Sequence, residues 1–295
     1  MDNPLVSICI PTYNGAQFIA EALDSAIAQT YPNLEIIISD DASSDYTLDI
    51  IESYKSKTEI PIKIYKHIPN GIGANWNHCI KKANGSYIKF LFQDDILYPT
   101  CISKMVKVFG NNVRVGLVAC KRDIIIDKTY LNDETESWIE TYGDLQEHLN
   151  LPIVDGIQYL DKSIFKSKLF LKRPQNKIGE PTVILFRKEI VKDIGFYKED
   201  LFQVLDLEFY NRVLRKYKIA VLDEKLVGFR LHINQATNFN MIHVKSDLLK
   251  YDALIYQHYF YLLNKNIQLK LLKKHHPLIK QLVKIKRGFK NYFKF

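Results

Sequence analysis

The chain has 295 residues and a mass of 34.5 kDa, enough to bury roughly 75% of its unfolded surface in one large domain or two ordinary ones without disulfide or metal staples. It is 47% hydrophobic and 25% charged, which excludes an intrinsically disordered chain. The net charge of +8 is uneven: of 41 Lys and Arg, ten lie in residues 253–295 with no Asp or Glu beside them, leaving the first 252 residues at 31 basic against 33 acidic, a net of −2. A nucleic-acid enzyme spreads positive charge over its working surface, so a near-neutral body argues against nucleic acid as its partner. Four cysteines (Cys9, Cys79, Cys101, Cys120) without CxxC spacing exclude a zinc ribbon and fit a reducing compartment. Met1-Asp2-Asn3-Pro4 offers no basic leader, and no run approaches the ~20 apolar residues of a membrane span, so the expected location is the cytoplasm.

The first hundred residues alternate strand and helix patterns. Leu5 to Ile10 is a short β-branched run ended by Pro11, and Phe18, Ile19, Ala22, Leu23, Ala26 and Ile27 then recur at helical spacing. Leu34 to Ser39 reads as a second strand, and Asp45 as a cap for a helix carrying Leu48, Ile51 and Tyr54. Ile62 to Tyr65 is a third strand, Ala74 to Ala83 a helix and Tyr87 to Phe92 a fourth strand. Strands separated by helices of this length imply right-handed βαβ units and a parallel sheet covered on both faces. Beyond about residue 110 the rhythm loosens. Val115 to Cys120, Ile124 to Ile126, Thr182 to Phe186 and Lys225 to Leu231 read as strands, Leu205 to Tyr217 as an amphipathic helix, and residues 129–180 have no firm pattern. From Met241 the chain reads as helical, with Pro277 dividing two helices.

Ligands of an open parallel sheet bind at the carboxyl ends of its strands. The first strand runs into Pro11-Thr12-Tyr13-Asn14-Gly15, the second into Asp40-Asp41, and the fourth into Gln93-Asp94-Asp95. One Asp-Asp pair is an ordinary solvated loop. Two pairs closing apolar strands on one rim are not called for by packing. They suit a nucleotide diphosphate: one carboxylate accepts from a base N–H or ribose hydroxyls, and another holds a hard divalent cation over the phosphates. Neither a P-loop nor GxGxxG follows the first strand, so side chains and metal must hold the phosphates.

These segments resemble glycosyltransferase family 2, the inverting enzymes of GT-A fold: VSICIPTYNG (Val6 to Gly15), SDDASSD (Ser39 to Asp45), and the run from Asn70 to Asp95 ending in an acidic motif. The resemblance spans about residues 4–110, and less closely 180–238. It implies an α/β GT-A fold, Rossmann-like, with a mostly parallel central sheet flanked by helices and a C-terminal helical basic extension. Residues 1–110 are then the nucleotide-sugar half, 111–240 the acceptor half of the same domain, and 241–295 a basic tail. Pro11 and Tyr13 match residues that contact or stack on a uracil, with Asn14 in the same donor loop; a Tyr13 ring packed locally is the alternative. Asp41 matches the carboxylate that pairs with the base, Asp94 the one near ribose and diphosphate, and Asp95 the ligand of a divalent cation (Mn or Mg). Asn77 matches an asparagine facing the donor, or else satisfies buried backbone groups. Members often carry a further Asp where this chain has Phe92, which bears on metal affinity.

In the second half, VLDLEFYNRV (Val204 to Val213) resembles the segment whose aspartate is the general base, here Asp206, with Glu208 positioned for the acceptor; helix capping is the other reading of Asp206. Arg212, one turn below Asp206, is expected to pair with an acid. Phe229-Arg230-Leu231-His232 resembles a late motif whose histidine approaches metal or diphosphate; a structural His232 is equally open. The tail places Leu278, Leu282, Ile285, Phe289 and Tyr292 on one stripe among lysines. That stripe either packs on the body or lies on an anionic membrane surface, at the cytoplasmic face of the inner membrane. The resulting expectation is a metal-dependent inverting transferase. It moves a sugar from a nucleotide donor, UDP-linked, to a saccharide or lipid-linked saccharide in surface polysaccharide (O-antigen or capsule) assembly. A non-catalytic nucleotide-sugar or glycan scaffold and a nucleotidyltransferase are the rivals.

Overall fold

The structure is a computed structural model and describes residues 3–110, 112–126 and 130–281. Its first half follows the alternation of the sequence: β1 (Val6–Thr12), α1 (Ile19–Ile27), β2 (Leu34–Asp40), α2 (Thr47–Tyr54), β3 (Ile62–Lys66), α3 (Ile72–Lys82) and β4 (Tyr87–Phe90). These four strands are parallel, in the order β3-β2-β1-β4. Every residue of β2 is buried, because helices cover both faces of a parallel sheet. Pro11 does not end β1. It lies inside the strand, paired in register with Ser39.

The second half adds β5 (Ile96–Leu97), α4 (Cys101–Phe109), β6 (Val115–Ile126), α5 (Asp133–Tyr142), β7 (Ile157–Leu160), β8 (Ile184–Arg187), α6 (Ile190–Ile194), α7 (Leu205–Lys216) and β9 (Lys218–Leu231). It closes with α8 (Ala236–Asn240), α9 (Val244–Tyr259) and α10 (Lys265–His275). Its strands continue the same sheet in mixed directions: β8 is antiparallel to both β4 and β6, so β6 and its parallel neighbour β9 run with the first four strands, and β9 is antiparallel to β5 and β7. The two stretches read as separate strands, Val115 to Cys120 and Ile124 to Ile126, are one strand broken by register shifts at Cys120, Lys121 and Arg122. Such an irregularity re-aims side chains, and here Arg122 turns inward and is 3% exposed.

Polar Asp223-Glu224-Lys225 likewise conceals that β9 starts at Lys218. Its early residues pair with β7 and its later ones with β5, so one long strand serves two short neighbours. Asp45 is not the N-cap of α2, which is Tyr46, yet its carboxylate accepts from the Thr47 backbone N–H at 3.0 Å.

All four cysteines are buried and free. The C-terminal helices pack on the body through Tyr251, Ile255 and Tyr259 of α9 and Ile267 and Leu271 of α10. Asp247 of α9 accepts from the backbone N–H groups of Phe202 and Gln203 at 2.7 Å each. The chain is helical again over 277–281, as Pro277 led one to expect. The stripe positions Leu282, Ile285, Phe289 and Tyr292 lie outside the described residues. No helix among the described residues is long and apolar enough to cross a membrane.

Candidate active site

The carboxyl ends of β2, β1 and β4 sit side by side, so the two acidic loops are about 10 Å apart across one intervening strand. Each loop divides its carboxylates between an inward and an outward task. Asp40 is fully buried and accepts from Thr12 Oγ1 at 2.8 Å, from the Ser43 backbone N–H at 2.9 Å and from Ser43 Oγ at 2.6 Å, tying the ends of β1 and β2 together. Asp41 turns outward to the imidazole of His67, just past the end of β3. Burial pushes the Asp41 carboxyl up, and the His67 contact opposes that push. Behind them the rings of His67 and His78 stand 4.9 Å apart, and His78 Nδ1 is 2.7 Å from Ser39 Oγ.

The loop after β1 is held by its neighbours. Asn14, at φ 46°, accepts from the Ser44 backbone N–H at 2.8 Å through its side-chain oxygen, so its amide braces the Ser43–Ser44 turn. Gln93 clamps Tyr13 by its backbone: Tyr13 N–H donates to Gln93 Oε1 at 2.9 Å, and Gln93 Nε2 donates to the Tyr13 carbonyl at 3.0 Å. A Cβ on Gly15 would stand 2.3 Å from Gln93 Oε1, so the clamp requires glycine there. The Tyr13 ring is left 58% exposed, free to stack on a ligand rather than packed locally. Pro11, two residues earlier, is partly exposed.

At the end of β4 the expected division is reversed. Asp95, expected as a metal ligand, is 1% exposed; its Oδ1 accepts from the Arg230 backbone N–H at 3.0 Å, while Oδ2 is buried without a partner. Burial, with the neighbouring Asp94 charge, pushes its carboxyl well up. Asp94 reaches the surface, and its Oδ2 lies 2.9 Å from His232 Nε2. Arg230 fixes this corner, donating to the Asp94 carbonyl at 2.9 Å and pairing with Glu21 at 2.6 Å, while Phe18 lies 4.7 Å beneath its guanidinium and 4.8 Å from the His232 ring. No group of three or more His, Cys, Asp or Glu among the described residues forms a metal cage. A hard cation held partly by substrate phosphates and water needs only one or two protein carboxylates, so Asp94 and His232, with the unpartnered Asp95 oxygen behind, fit one. Phe92, at the position of the further carboxylate, stacks on Trp76 at 5.2 Å.

The second half of the chain contributes Asp206. It lies in the first turn of α7, but Val204 is the N-cap residue and no side chain caps the helix. Its Oδ1 accepts from the Leu207 backbone N–H and its Oδ2 from Asn176 Nδ2, each at 2.7 Å. Burial lifts its carboxyl from 3.8 to about 7, with the nearby Glu180 charge adding to the rise against those two hydrogen bonds. A carboxylate that titrates near neutrality is matched to general-base catalysis, which an ordinary aspartate is not.

Two expected site residues face elsewhere. Glu208 is 5% exposed and holds Arg212 through both oxygens, at 3.0 and 2.9 Å from Nε. Arg212 thus makes the acid pair expected of it and also donates to the carbonyls of Gly195 at 3.0 Å and Phe196 at 2.8 Å. Glu208 therefore braces α7 and is not turned to an acceptor. Asn77 is 1% exposed with its amide consumed: Nδ2 donates to the Tyr197 carbonyl at 2.9 Å and to Glu199 at 3.0 Å, and Oδ1 accepts from the Tyr197 N–H at 2.9 Å. It cross-links α3 to the loop after α6 and does not face a donor.

The sequence profile described as glycosyl transferase family 2 matches residues 7–195. The chain belongs to this family. Among its relatives is an uncharacterized glycosyltransferase of Rickettsia typhi, 30% identical over 253 residues that cover 85% of this chain and 70% of the relative. The chondroitin synthase of Escherichia coli is 25% identical over 266 residues, 83% of this chain and 37% of that protein. Among solved structures, residues 1–349 of S. aureus TarS in complex with UDP superpose with a TM-score of 0.60 at 19% identity, covering 92% of this chain and 71% of that one. The mannosyltransferase PcManGT of Pyrobaculum calidifontis, in complex with GDP-Man and Mn2+, gives 0.62 at 15% identity, covering 99% and 82%. The fold is accordingly GT-A, and the protein is a glycosyltransferase.

Sequence reading of this glycosyltransferase missed His67, Asn176, Glu180 and Arg122, and gave Gln93 and Arg230 no task. His67 left a signal, since it ends a third strand on the same rim. Asn176 and Glu180 left none, because the stretch before β8 has no periodicity.

Proposed function

We propose that this glycosyltransferase is a metal-dependent inverting enzyme that moves a sugar from a nucleotide diphosphate donor, UDP-linked, to a saccharide or lipid-linked saccharide hydroxyl. The observation that carries the reading is Asp206, a carboxyl lifted to about 7 whose two oxygens are oriented by Leu207 and Asn176. The exposed Tyr13 ring offers a face for the base, and Asp41 with His67 offers polar edges beside it. Asp94 and His232 take the place of cation holders that Asp95, being buried, cannot fill alone. A divalent cation bound there would neutralise the diphosphate and stabilise the departing nucleotide. The acceptor hydroxyl attacks the anomeric carbon from the side opposite the nucleotide. A bond from the acceptor oxygen to that carbon forms as the bond to the phosphate oxygen breaks, and Asp206 takes the hydroxyl proton.

The complexes of TarS with UDP and UDP-GlcNAc support a uridine donor, and the chondroitin synthase relative supports a polysaccharide product. For the setting, we favour a surface polysaccharide built at the cytoplasmic membrane face. The lysines of α10 and the exposed Tyr261, Leu269 and Leu278 support contact with an anionic bilayer. The test is a panel of UDP-sugars and GDP-mannose with oligosaccharide and lipid-linked acceptors, scoring nucleotide release with Mn2+ and with EDTA. Release of UDP from one sugar, abolished by EDTA, is the expected result. Release that persists in EDTA removes the metal, and release of GDP alone removes the uridine assignment.

A further inference from the structure

The segment between β7 and β8 brings one more charged group to the base. Asn176, whose amide nitrogen holds Asp206 at 2.7 Å, accepts through Oδ1 from the backbone N–H groups of Ile178 and Gly179 at 3.0 Å each. The Gly179 carbonyl accepts in turn from Asn176 Nδ2 and from the Tyr210 hydroxyl of α7, each at 3.0 Å. Gly179 takes φ 122°, and a Cβ on it would stand 2.6 Å from Val183 Cγ2, so this turn has one tight geometry.

The next residue is Glu180. Its carboxylate is 2.6 Å from the guanidinium of Arg122, whose side chain is 1% exposed against 25% for Glu180. Arg122 is itself fixed, donating to the Tyr142 carbonyl at 2.8 Å with its guanidinium over the Phe229 ring at 5.0 Å. A buried arginine thus pins a partly exposed carboxylate next to the turn that holds the base. Neither residue is used by the transfer steps described above.

We propose that the Arg122–Glu180 pair is a positioning element of the active site: it fixes a negative charge at the end of the turn whose Asn176 holds Asp206, and so makes Asp206 a stronger proton acceptor. This rests on Asp206 as the base. The other groups facing Asp206 are poorly suited to the task. Tyr197 from the segment after α6, Tyr210 of α7 and Tyr251 of α9 sense its charge, but burial holds all three hydroxyls far above the usual tyrosine range, so they are neutral. On α7, Glu208 and Arg212 are spent on each other. Lys177, beside Asn176, turns away to the carbonyls of Lys172 and Pro174 at 2.9 and 2.7 Å.

The experiment needs no substrate. A carboxyl that binds its proton more tightly in the folded chain than in the unfolded one makes stability fall as pH rises between the two pKa values, and then level off. For Asp206 that window runs from about 4, the unfolded aspartate value, to about 7 in the fold. Urea unfolding is followed from pH 4 to 9 for the full chain and for Asp206→Asn, and the difference between the two curves isolates this one group.

The same pair is then compared in a Glu180→Gln background. The expected result is that the upper end of the window moves down by about one pH unit, because a like charge has been removed. Glu180→Asp should keep it near its original place. An upper end that does not move in Glu180→Gln overturns the proposal. If Glu180→Gln fails to fold because Arg122 is left buried and unpaired, the double change Arg122→Met, Glu180→Gln removes both charges. A smaller downward move is expected of it, because the Arg122 positive charge goes as well, and its absence overturns the proposal equally. Loss of the base reading would instead show as undiminished sugar transfer by Asp206→Asn, which is a separate measurement.

Discussion

Within each acidic loop, two adjacent aspartates have opposite surroundings. Asp40 is sealed by Thr12 and Ser43 while Asp41 faces His67, and Asp95 is sealed under Arg230 while Asp94 faces His232. The sequence marks both pairs but not which member is outward, since side-chain direction in the irregular turn after a strand has no period to read. The same holds for Asp206, whose motif is plain in the sequence but whose lifted carboxyl depends on Asn176 and Glu180, some thirty residues earlier in the chain. Asp206→Asn is expected to lower sugar transfer roughly a thousandfold while calorimetry finds UDP affinity unchanged; near-wild-type turnover would exclude Asp206 as the base. Because the base must be ionised, transfer by the wild type should climb with pH and level off above about 7. A rate that is flat from pH 5 to 8 would contradict this.

Helices impose their own logic on residues that look functional. Asn77 lies on the buried side of α3 and Glu208 on the buried side of α7, and each is drawn into fastening its helix to the segment after α6. A motif match names such a residue without revealing that its polar atoms are already used. Asn77→Ala strands the Tyr197 N–H and carbonyl, at a cost of about 2 kcal/mol. Urea unfolding should register that loss, with the UDP affinity of the folded variant unaltered. A variant that keeps its stability and loses UDP would return Asn77 to the donor site. Strands carry the opposite lesson: β6 and β9 read as fragments because polar residues sit at their irregular middles, and pairing with each other across those middles joins the pieces.

At the scale of the molecule, one sheet joins both halves, and its reversal at β8 turns a second set of loops toward the nucleotide rim. The C-terminal helices are docked through buried tyrosines, yet leave Tyr261 93% and Leu269 55% exposed among lysines. Sedimentation with vesicles containing about 30% phosphatidylglycerol is expected to carry the protein down at low salt. The double variant Tyr261→Ser, Leu269→Ser should stay in solution and keep its UDP affinity. Equal sedimentation of both chains would place the membrane contact elsewhere.

Local patterning suffices for the parallel half of the fold, because buried strands and amphipathic helices impose the periods 2 and 3.6 on any sequence that forms them. It also suffices for the rim motifs, since loops at the carboxyl ends of parallel strands are where polar residues must collect. What meets what across the chain was settled by folding alone. His232 reaches Asp94 over 138 positions, and Arg122 reaches the Glu180 turn beside Asp206. Proton affinity and hydrogen-bond saturation come from burial among such distant neighbours, and burial is a property of the packed molecule that no stretch of sequence carries by itself.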